Sequence, residues 1–365
     1  MNKYRIDKEE ADSVVLKCLL INRGVTVDNE VFECFGGQYR LHRNPETCNS
    51  FRLSDGTNVQ LNDMEPESSF RLGTADDRPA LFHRGEQLDF VSFERKTGFY
   101  GQRTSGGRPF LGNVVLQGCD FVSFPCIWSC EYAEAGSPCS FCFAGAEFER
   151  LAKAGVRMPD ALSAADVAEI VRYAVEHGDA TGIQLAGGST FGGETEHCHI
   201  VACLRAIAGM KLGLEGEMLL YITPPKHTEY LDEYFALGAD RIACSLEVWD
   251  EELAKLITPG KVSFSSRARH LSALEYIAKN YGRNKAFSNF VIGLERFETL
   301  KEGATYLAQR GIIPSASVWM PGGRISGDFQ RPSIDYFRRV KDMLDELYLR
   351  YMLSPPGGCG LNVCL

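Results

Sequence analysis

The 365-residue chain lacks several features that would assign it to a class of proteins. It has no apolar run long enough to span a membrane, and its first residues lack the apolar core of a signal peptide, so a cytoplasmic protein is expected. No long basic stretch occurs and the net charge is −9, which argues against a nucleic-acid-binding surface. Neither a fixed-period repeat nor a low-complexity segment is present. The composition, 44% apolar and 24% charged, is that of a soluble globular protein large enough for one barrel-sized domain and a smaller companion.

Cysteine, in contrast, is abundant. The chain has 13 cysteines, and an odd number in a chain this long indicates reduced thiols rather than a disulfide framework. Cys130, Cys139 and Cys142 lie close together, and the last two form a Cys-x-x-Cys unit with Phe141 just before the second thiol. Three thiolates on one loop can hold three irons of a [4Fe–4S] cluster and leave the fourth iron open for a small molecule.

A zinc site is the alternative for this loop. Cys126 precedes Cys130 by four positions, and together with Cys139 and Cys142 the two could close an all-thiolate shell around zinc. For a cluster, Cys130 is favoured over Cys126 as the first ligand. The turn-forming residues at 136–138 can bring the chain back so that Cys130 lies beside Cys139.

Two regions differ in pattern. Residues 1–108 contain short strand-like segments with turn signals, and they predict a β-rich N-terminal region, with Asp55-Gly56 as a hairpin turn. From residue 109 to 330, apolar strands alternate with helices, which predicts an α/β fold with a parallel sheet. The six expected strands lie at 113–117, 181–186, 218–223, 241–248, 288–293 and 313–319. Residues 331–365 are expected to form a terminal helix and a cysteine-containing tail. Periodicity alone leaves open whether the sheet is doubly wound or a partial barrel.

The cysteine loop resembles that of the radical S-adenosylmethionine (SAM) enzymes. Cys139-Ser-Phe141-Cys142 matches the second half of their Cys-x-x-x-Cys-x-aromatic-Cys signature, although eight residues rather than three separate Cys130 from Cys139. Later segments are similar to the branch that contains biotin synthase and the iron-hydrogenase maturase. The resemblance implies a partial (β/α)6 TIM-type barrel, a [4Fe–4S] cluster on Cys130, Cys139 and Cys142, and SAM as a second cofactor.

The same resemblance implies which residues contact SAM. The segment Gly187, Gly188, Ser189 and Thr190 follows the second strand, where the family binds the amino group of SAM; a plain glycine-rich turn is the other interpretation. Glu247 ends the fourth strand, where the family binds amino or ribose hydroxyl groups. Arg267 ends a Pro…Ser-Phe-x-x-Arg segment and would bind the SAM carboxylate, with Arg269 as the alternative.

The fifth strand carries a partial match to the segment that packs against adenine in this family. Val291 and Gly293 fit its middle, whereas its first glycine is replaced by Asn289. Trp319 is a candidate to line the pocket, and Tyr221, His227 and Cys244 are further candidate substrate contacts that base rates assign to packing. The sequence identifies no catalytic side chain.

The resemblance implies a radical SAM enzyme that cleaves SAM reductively and abstracts hydrogen from an unidentified small-molecule substrate in cofactor or metabolite biosynthesis. It also implies an electron donor such as a flavodoxin or a ferredoxin. Two other classes stay open. One is a zinc- or cluster-bearing binding or scaffold protein without radical chemistry, and the other is a phosphate-binding barrel enzyme that uses Gly187-Gly188 and Gly322-Gly323 as anion loops.

The last residues carry two further cysteines, Cys359 and Cys364, after a Pro-Gly-rich hinge. They could contribute to a second metal or cluster, although two thiols are too few to complete one. Leu361, Val363 and Leu365 alternate with other residues, as in a strand with one buried face. The tail is therefore expected to lie against the barrel mouth or the N-terminal region.

Overall fold

Two β-sheets organise the chain. The computed structural model describes residues 12–33, 50–63, 65, 67–93, 97–117, 121–127, 130–142, 161–321, 329–357 and 364–365. Within these residues one sheet has six strands and the other has seven. No helix of the described part is long and apolar enough to span a bilayer.

The smaller sheet lies in the N-terminal region and has the order β1-β4-β5-β6-β2-β3. Its strands are β1 (Thr26–Val27), β2 (Ser50–Leu53), β3 (Asn58–Gln60), β4 (Phe70–Ala75), β5 (Arg78–His83) and β6 (Glu86–Ser92). Strands β2 and β3 pair antiparallel across the predicted Asp55-Gly56 turn, which confirms that hairpin. Helices α1 (Ser13–Arg23), α2 (Asn29–Glu33) and α3 (Thr97–Tyr100) belong to this region.

The larger sheet follows chain order, and its strands β8 to β13 run parallel to one another. Its strands are β7 (Val115–Gln117), β8 (Phe121–Ile127), β9 (Gly182–Gly187), β10 (Met218–Tyr221), β11 (Arg241–Ala243), β12 (Ala286–Ile292) and β13 (Ile313–Val318). Helices alternate with them: α4 (Glu131–Glu134), α5 (Ala164–Glu176), α6 (Glu194–Gly209), α7 (Glu229–Ala236), α8 (Glu251–Ile257), α9 (Arg267–Tyr281), α10 (Phe297–Gln309) and α11 (Ile334–Tyr351). The predicted α/β class is confirmed.

The strand that leads into the cysteine loop is not the predicted one. The segment 113–117 was expected to be the first parallel strand, but β7 pairs antiparallel with β8 at the edge of the sheet. The first parallel strand is β8, which pairs with β9. Pro125 hides this strand from sequence analysis, because proline lacks the N–H that a central ladder needs. The structure accommodates it at an irregularity in register between Pro125 and Ile127.

Two short elements between β11 and α9 were also missed. Helix α8 begins after Asp250, whose carboxylate accepts a 2.9 Å hydrogen bond from the Leu253 N–H. A π-helix then spans Lys261–Ser265. Single π-turns occur frequently at functional sites, and this one lies beside the cysteine loop, as described below.

The N-terminal region packs against the last strand of the larger sheet. The side-chain amide of Asn22, in α1, donates a 2.9 Å hydrogen bond to the Trp319 carbonyl, just after β13. Asn22 is fully buried, so this bond lies inside the interface. The N-terminal region thus covers one side of the larger sheet near the carboxyl end of β13.

Candidate cofactor site

The cysteine loop folds back on itself as its turn residues predict. Cys130 directly precedes helix α4, and Gly136 adopts a left-handed conformation with φ of 75°. The Ser137 N–H then donates a 2.8 Å bond to the Tyr132 carbonyl, which closes the return. The Cys142 N–H donates a 3.1 Å bond to the Cys139 carbonyl, so the Cys-x-x-Cys unit is itself a turn.

Cys139 lies within electrostatic range of the other two thiols. Burial raises the pKa of Cys139 to about 12; the nearby Lys261 ammonium acts to lower it, whereas Cys142 and Cys130 add to the rise. Among the described residues, no three His, Cys, Asp or Glu side chains converge as the ligands of one metal ion would. The Cys126 backbone belongs to β8, and its side chain lies outside the described part.

Two neighbouring loops hold the cysteine loop. The Glu131 N–H donates a 2.9 Å bond to the Ser189 carbonyl, and the Glu131 carboxylate accepts from the Phe191 N–H. On the opposite side, the Ser140 N–H and hydroxyl donate to the carbonyls of Ile257 and Leu256 at 2.8 and 2.9 Å. The loop is therefore fixed between the glycine-rich segment after β9 and helix α8 after β11.

Gly260 allows the chain before Lys261 to pack closely against the cysteine loop. A Cβ built at this position would lie 2.5 Å from the Ser137 carbonyl oxygen and 2.6 Å from the Tyr132 Cβ. Real Cβ atoms do not approach other atoms so closely, so a larger residue would push the cysteine loop away. The segment that carries Lys261 and the segment that carries Cys139 therefore pack as one unit.

Replacing Gly260 with alanine is expected to displace the cysteine loop. The variant should lose about 1–3 kcal/mol of folding free energy, the usual cost of overpacking, and should hold less iron than the wild type. Thermal unfolding and iron analysis measure the two effects. Gly209→Ala is the control, because a Cβ there has open space. Equal iron content in both variants would show that the contact does not shape the cluster site.

The glycine-rich segment after β9 is backed by a buried carboxylate. The Thr190 N–H donates a 3.1 Å bond to the Thr223 hydroxyl, and the Thr190 hydroxyl donates to the Glu196 carboxylate. Burial raises the pKa of Glu196 to about 7, against the lowering effect of the Thr190 hydrogen bond. Gly187 and Gly188 border a small cavity together with Glu196. The Thr190 hydroxyl and N–H are thus committed to Glu196 and Thr223.

Glu247 has a strained backbone and a mostly buried, charged partner. Its φ is 73°, a conformation that costs a non-glycine residue about 1 kcal/mol or more and that clusters at functional sites. Its carboxylate accepts a 2.7 Å bond from the Lys261 ammonium and a 3.3 Å bond from the Asn289 side-chain amide. Lys261 also donates a 2.6 Å bond to the Ser245 carbonyl. Sequence analysis did not predict a role for Lys261, although Lys261 lies in the Pro…Ser-Phe-x-x-Arg segment that ends at Arg267.

Arg267 faces a cleft of about 230 Å³ that Lys261 also lines. Its guanidinium stacks 3.6 Å over the Trp249 ring, donates a 2.6 Å bond to the Trp249 carbonyl and lies 3.5 Å from the Glu251 carboxylate. Arg267 lines the cleft directly, and Glu247 lies next to it through its pair with Lys261. The side chain is 29% exposed, so part of its fork is accessible to a ligand.

Arg269, the alternative arginine, joins three loops instead. Its guanidinium donates to the carbonyls of Pro224, Phe264 and Phe191 at 2.7, 3.2 and 3.4 Å. These carbonyls follow β10, belong to the π-helix and follow β9, respectively. Such contacts position the loops around the site.

An apolar cluster links the cysteine loop to the last two strands. Val291 and Trp319 are buried in a small group with Val248, Ile257 and Leu294, and Phe141 packs against it. Gly293, which follows β12, has φ of 105°, and a Cβ there would lie 2.9 Å from Pro332. The conformation gives Gly293 a structural reason to be glycine, independent of any ligand.

The other candidate substrate contacts differ in accessibility. Cys244 is completely buried, which fits packing. Tyr221 is half-buried and packs edge-to-face on Phe287, with ring centroids 5.1 Å apart. His227 is exposed and lies 3.7 Å from the Glu229 carboxylate. Of these, the accessible part of Tyr221 is nearest to the site, because Tyr221 borders the small cavity beside Gly187 and Gly188.

The family model for the Radical SAM superfamily matches residues 130–313, half of the chain. The chain belongs to the Radical SAM superfamily. Members of the superfamily are enzymes that use a [4Fe–4S] cluster and SAM. The match begins at Cys130 and ends at the first residue of β13, so it spans the cysteine loop and the strands described above.

Individual relatives are distant. Bacteriochlorophyllide c C-7(1)-hydroxylase of Chlorobaculum limnaeum is 23% identical over 302 residues, which cover 79% of this chain and 74% of that protein. Among solved structures, SuiB of Streptococcus suis has a TM-score of 0.45 at 15% identity and covers 66% of this chain. HydG, a maturase of the [FeFe]-hydrogenase, has a TM-score of 0.47 at 17% identity and covers 63%. The chain spans about half the length of each of these two, 50% in both cases.

The residues present fit the two cofactors of the superfamily. Three thiols on one folded loop suit a cluster with one open iron. The Trp319 Nε1 is buried without a hydrogen-bond partner among the described residues, beside Val291 and Phe141. A buried donor left unpaired costs free energy unless a ligand accepts its hydrogen bond. An adenosyl group with several nitrogen and oxygen acceptors would satisfy it.

The last two residues lie along β13, the edge strand of the larger sheet, rather than extending into solvent, whereas the expected contact with the barrel mouth or the N-terminal region stays a prediction. Cys364 pairs antiparallel with Ser317 of β13, the Leu365 N–H donates a 2.9 Å bond to the Ala316 carbonyl, and Leu365 packs on the core. The Cys364 sulfur lies 3.4 Å from the Ser317 hydroxyl, which in turn donates a 2.9 Å bond to Asn289. Cys359, the other thiol considered for a second metal, lies outside the described residues, as do Gly322 and Gly323.

Proposed function

We propose that this chain is a radical SAM enzyme that abstracts hydrogen from an unreactive carbon of a small-molecule substrate in cofactor or metabolite biosynthesis. When bound, the cluster and SAM supply one-electron cleavage of a sulfur–carbon bond and a reactive carbon radical. The observation that carries the proposal is the cysteine loop. Cys130, Cys139 and Cys142 lie on one folded loop, packed between the segments that follow β9 and β11.

The ligand assignments follow the same geometry. Cys130, Cys139 and Cys142 would hold three irons. The backbone of Gly187, Gly188 and Ser189 would meet the SAM amino group. This segment suits the task because the Ser189 carbonyl accepts a hydrogen bond from the Glu131 N–H, which holds the segment beside Cys130.

Charged and apolar groups would orient the rest of SAM. Arg267 would grip its carboxylate with the accessible part of its fork. Glu247 would accept hydrogen bonds from amino or ribose hydroxyl groups of SAM. One of its present donors, Lys261 or Asn289, would then be displaced. Val291 and Trp319 would enclose the adenosyl group and exclude water from the reacting atoms.

The larger sheet would be the partial (β/α)6 barrel of the superfamily. In the domain organisation we propose, residues 109–330 form this barrel, residues 1–108 form an N-terminal region and residues 331–365 form the terminal helix and tail. The pairing of Cys364 with β13 supports a role for the tail in covering the barrel edge. We further propose a cytoplasmic location, where thiols stay reduced, and a flavodoxin or ferredoxin as the electron donor.

The relative from Chlorobaculum limnaeum supports the reaction class. Its name describes hydroxylation at one carbon of a bacteriochlorophyllide. Hydroxylation of a carbon begins with loss of hydrogen from that carbon. The shared superfamily and the coverage of 79% of this chain support hydrogen abstraction from a carbon here too, with the substrate to be identified.

One experiment tests the proposed function. The protein is purified without oxygen, its iron is counted, and SAM and dithionite are added. Cluster absorbance and 5′-deoxyadenosine are expected, and neither should appear with Cys139→Ala. Colourless protein that binds zinc, or protein with a cluster that leaves SAM intact, would replace the proposal with a binding or scaffold role.

A further inference from the structure

Lys261 is a mostly buried cation held beside the cysteine loop. Its side chain is 14% exposed, and its ammonium lies 2.7 Å from the Glu247 carboxylate, which is 13% exposed. The preceding residue, Gly260, packs directly on Ser137 and Tyr132, so the lysine backbone cannot move independently of the cysteine loop. A charge placed so deeply costs free energy, and a buried pair of this kind is weak evidence for a role in stability alone.

The groups around Lys261 point to the cluster. Beyond Glu247, the described titratable side chains close enough to interact with it include Cys139, Tyr132, Cys244 and His270. After burial, Lys261 is the group with the largest effect on the Cys139 thiol, and Glu247 acts on the same thiol with the opposite sign. Both charges of the ion pair thus lie within electrostatic range of one of the proposed iron ligands.

A cation near an iron–sulfur cluster favours its reduced form, because reduction adds negative charge to a group that its thiolates already make anionic. Low local dielectric strengthens the effect, since screening by water is weak inside the protein. The nearby carboxylate opposes it. The two charges together can therefore adjust the potential at which the cluster accepts the electron that SAM cleavage requires.

We propose that Lys261 is a positioning residue that raises the reduction potential of the cluster on Cys130, Cys139 and Cys142, and that Glu247 moderates this effect. The inference rests on the proposed function, because it requires the cluster. The electron comes from the external low-potential donor, and the lysine neither gains nor loses a bond. Its charge changes only how readily the cluster is reduced.

The test is a redox titration of the reconstituted protein without SAM, followed by the EPR signal of the reduced cluster. Lys261→Met should shift the midpoint to more negative potential, with about a tenfold smaller ratio of reduced to oxidised cluster at a fixed potential, or 59 mV for one electron. Lys261→Arg should restore the wild-type value. Glu247→Gln should shift the midpoint the other way, and the double variant K261M/E247Q should fall between the two single variants.

A lysine with a merely structural role would change cluster occupancy without this pattern of opposite shifts. Lys341→Met is the matched control, because Lys341, on α11, is also a partly buried lysine. Its side chain is 26% exposed, and its ammonium pairs with the Asp12 and Asp345 carboxylates. Its midpoint should equal that of the wild type. Full iron content and an unshifted midpoint in Lys261→Met would overturn the inference. So would a Lys261→Met variant in which only SAM affinity falls, since Lys261 would then be a SAM ligand.

Two further results separate the inference from the proposed function. If Lys261→Met fails to hold iron, the midpoint potential of the Glu247→Gln variant tests the inference instead. A midpoint equal to that of the wild type overturns it. The wild-type protein can carry a cluster and form 5′-deoxyadenosine while the Lys261 and Glu247 variants leave the midpoint potential unchanged. That result rejects only the role of Lys261. Wild-type protein with neither cluster nor 5′-deoxyadenosine rejects the proposed function, and the role of Lys261 with it.

Discussion

Replacing Cys130, Cys139 or Cys142 with alanine is expected to abolish cluster binding and SAM cleavage. Each thiolate would hold one iron, so the loss of any one leaves a cluster with too few protein ligands. Iron should fall from about four atoms per chain to below about one, and 5′-deoxyadenosine should fall to the background without enzyme. Anaerobic iron analysis, cluster absorbance and product formation measure the three effects.

The controls for the cysteine variants separate ligands from neighbours. Cys198 is exposed on α6, and Cys198→Ala should keep iron and activity. Cys126→Ala should also keep the cluster, because the turn at Gly136 already brings Cys130 back toward Cys139. A Cys126→Ala variant that loses iron while Cys130→Ala keeps it would show that the first ligand has been assigned wrongly.

Arg267→Ala is expected to weaken SAM binding by roughly 1.5–3 kcal/mol, about 10- to 150-fold in Kd, the loss typical of a hydrogen-bonded charged group. The partly exposed guanidinium lines the cleft that Lys261 also borders, and the SAM carboxylate is its proposed partner. Equilibrium binding of SAM to the cluster-loaded protein measures the change. An unchanged Kd would remove Arg267 from the site.

The stacking of Arg267 on Trp249 needs its own control. Arg78 stacks in a similar way, 4.2 Å over the Phe90 ring in the N-terminal sheet, so Arg78→Ala reports the cost of losing such a stack away from the site. Its SAM affinity should match the wild type. Arg267→Lys, which keeps the charge but not the planar fork, should fall between the wild type and Arg267→Ala.

Much of the fold and part of the site could be predicted from residues that are close in sequence. Strand and helix periodicity is local, so the α/β class and helix α11 (Ile334–Tyr351) could be predicted directly. The cysteine loop is local as well, and Gly136, one of its predicted turn residues, has a left-handed backbone. Pro125 was the main local obstacle, because a proline inside a buried strand contradicts the usual pattern.

Only the tertiary structure decided how charge is arranged at the site. Lys261 meets Glu247 across 14 positions, Asn289 meets Glu247 across 42, and Ser317 meets Asn289 across 28. The left-handed backbone of Glu247 persists because its neighbours on β12 hold it, with the Glu247 N–H donating to the Asn289 carbonyl. Sequence alone determined which residue types follow each strand. The parallel sheet determined which of them meet, because it brings the carboxyl ends of strands far apart in the chain to one edge.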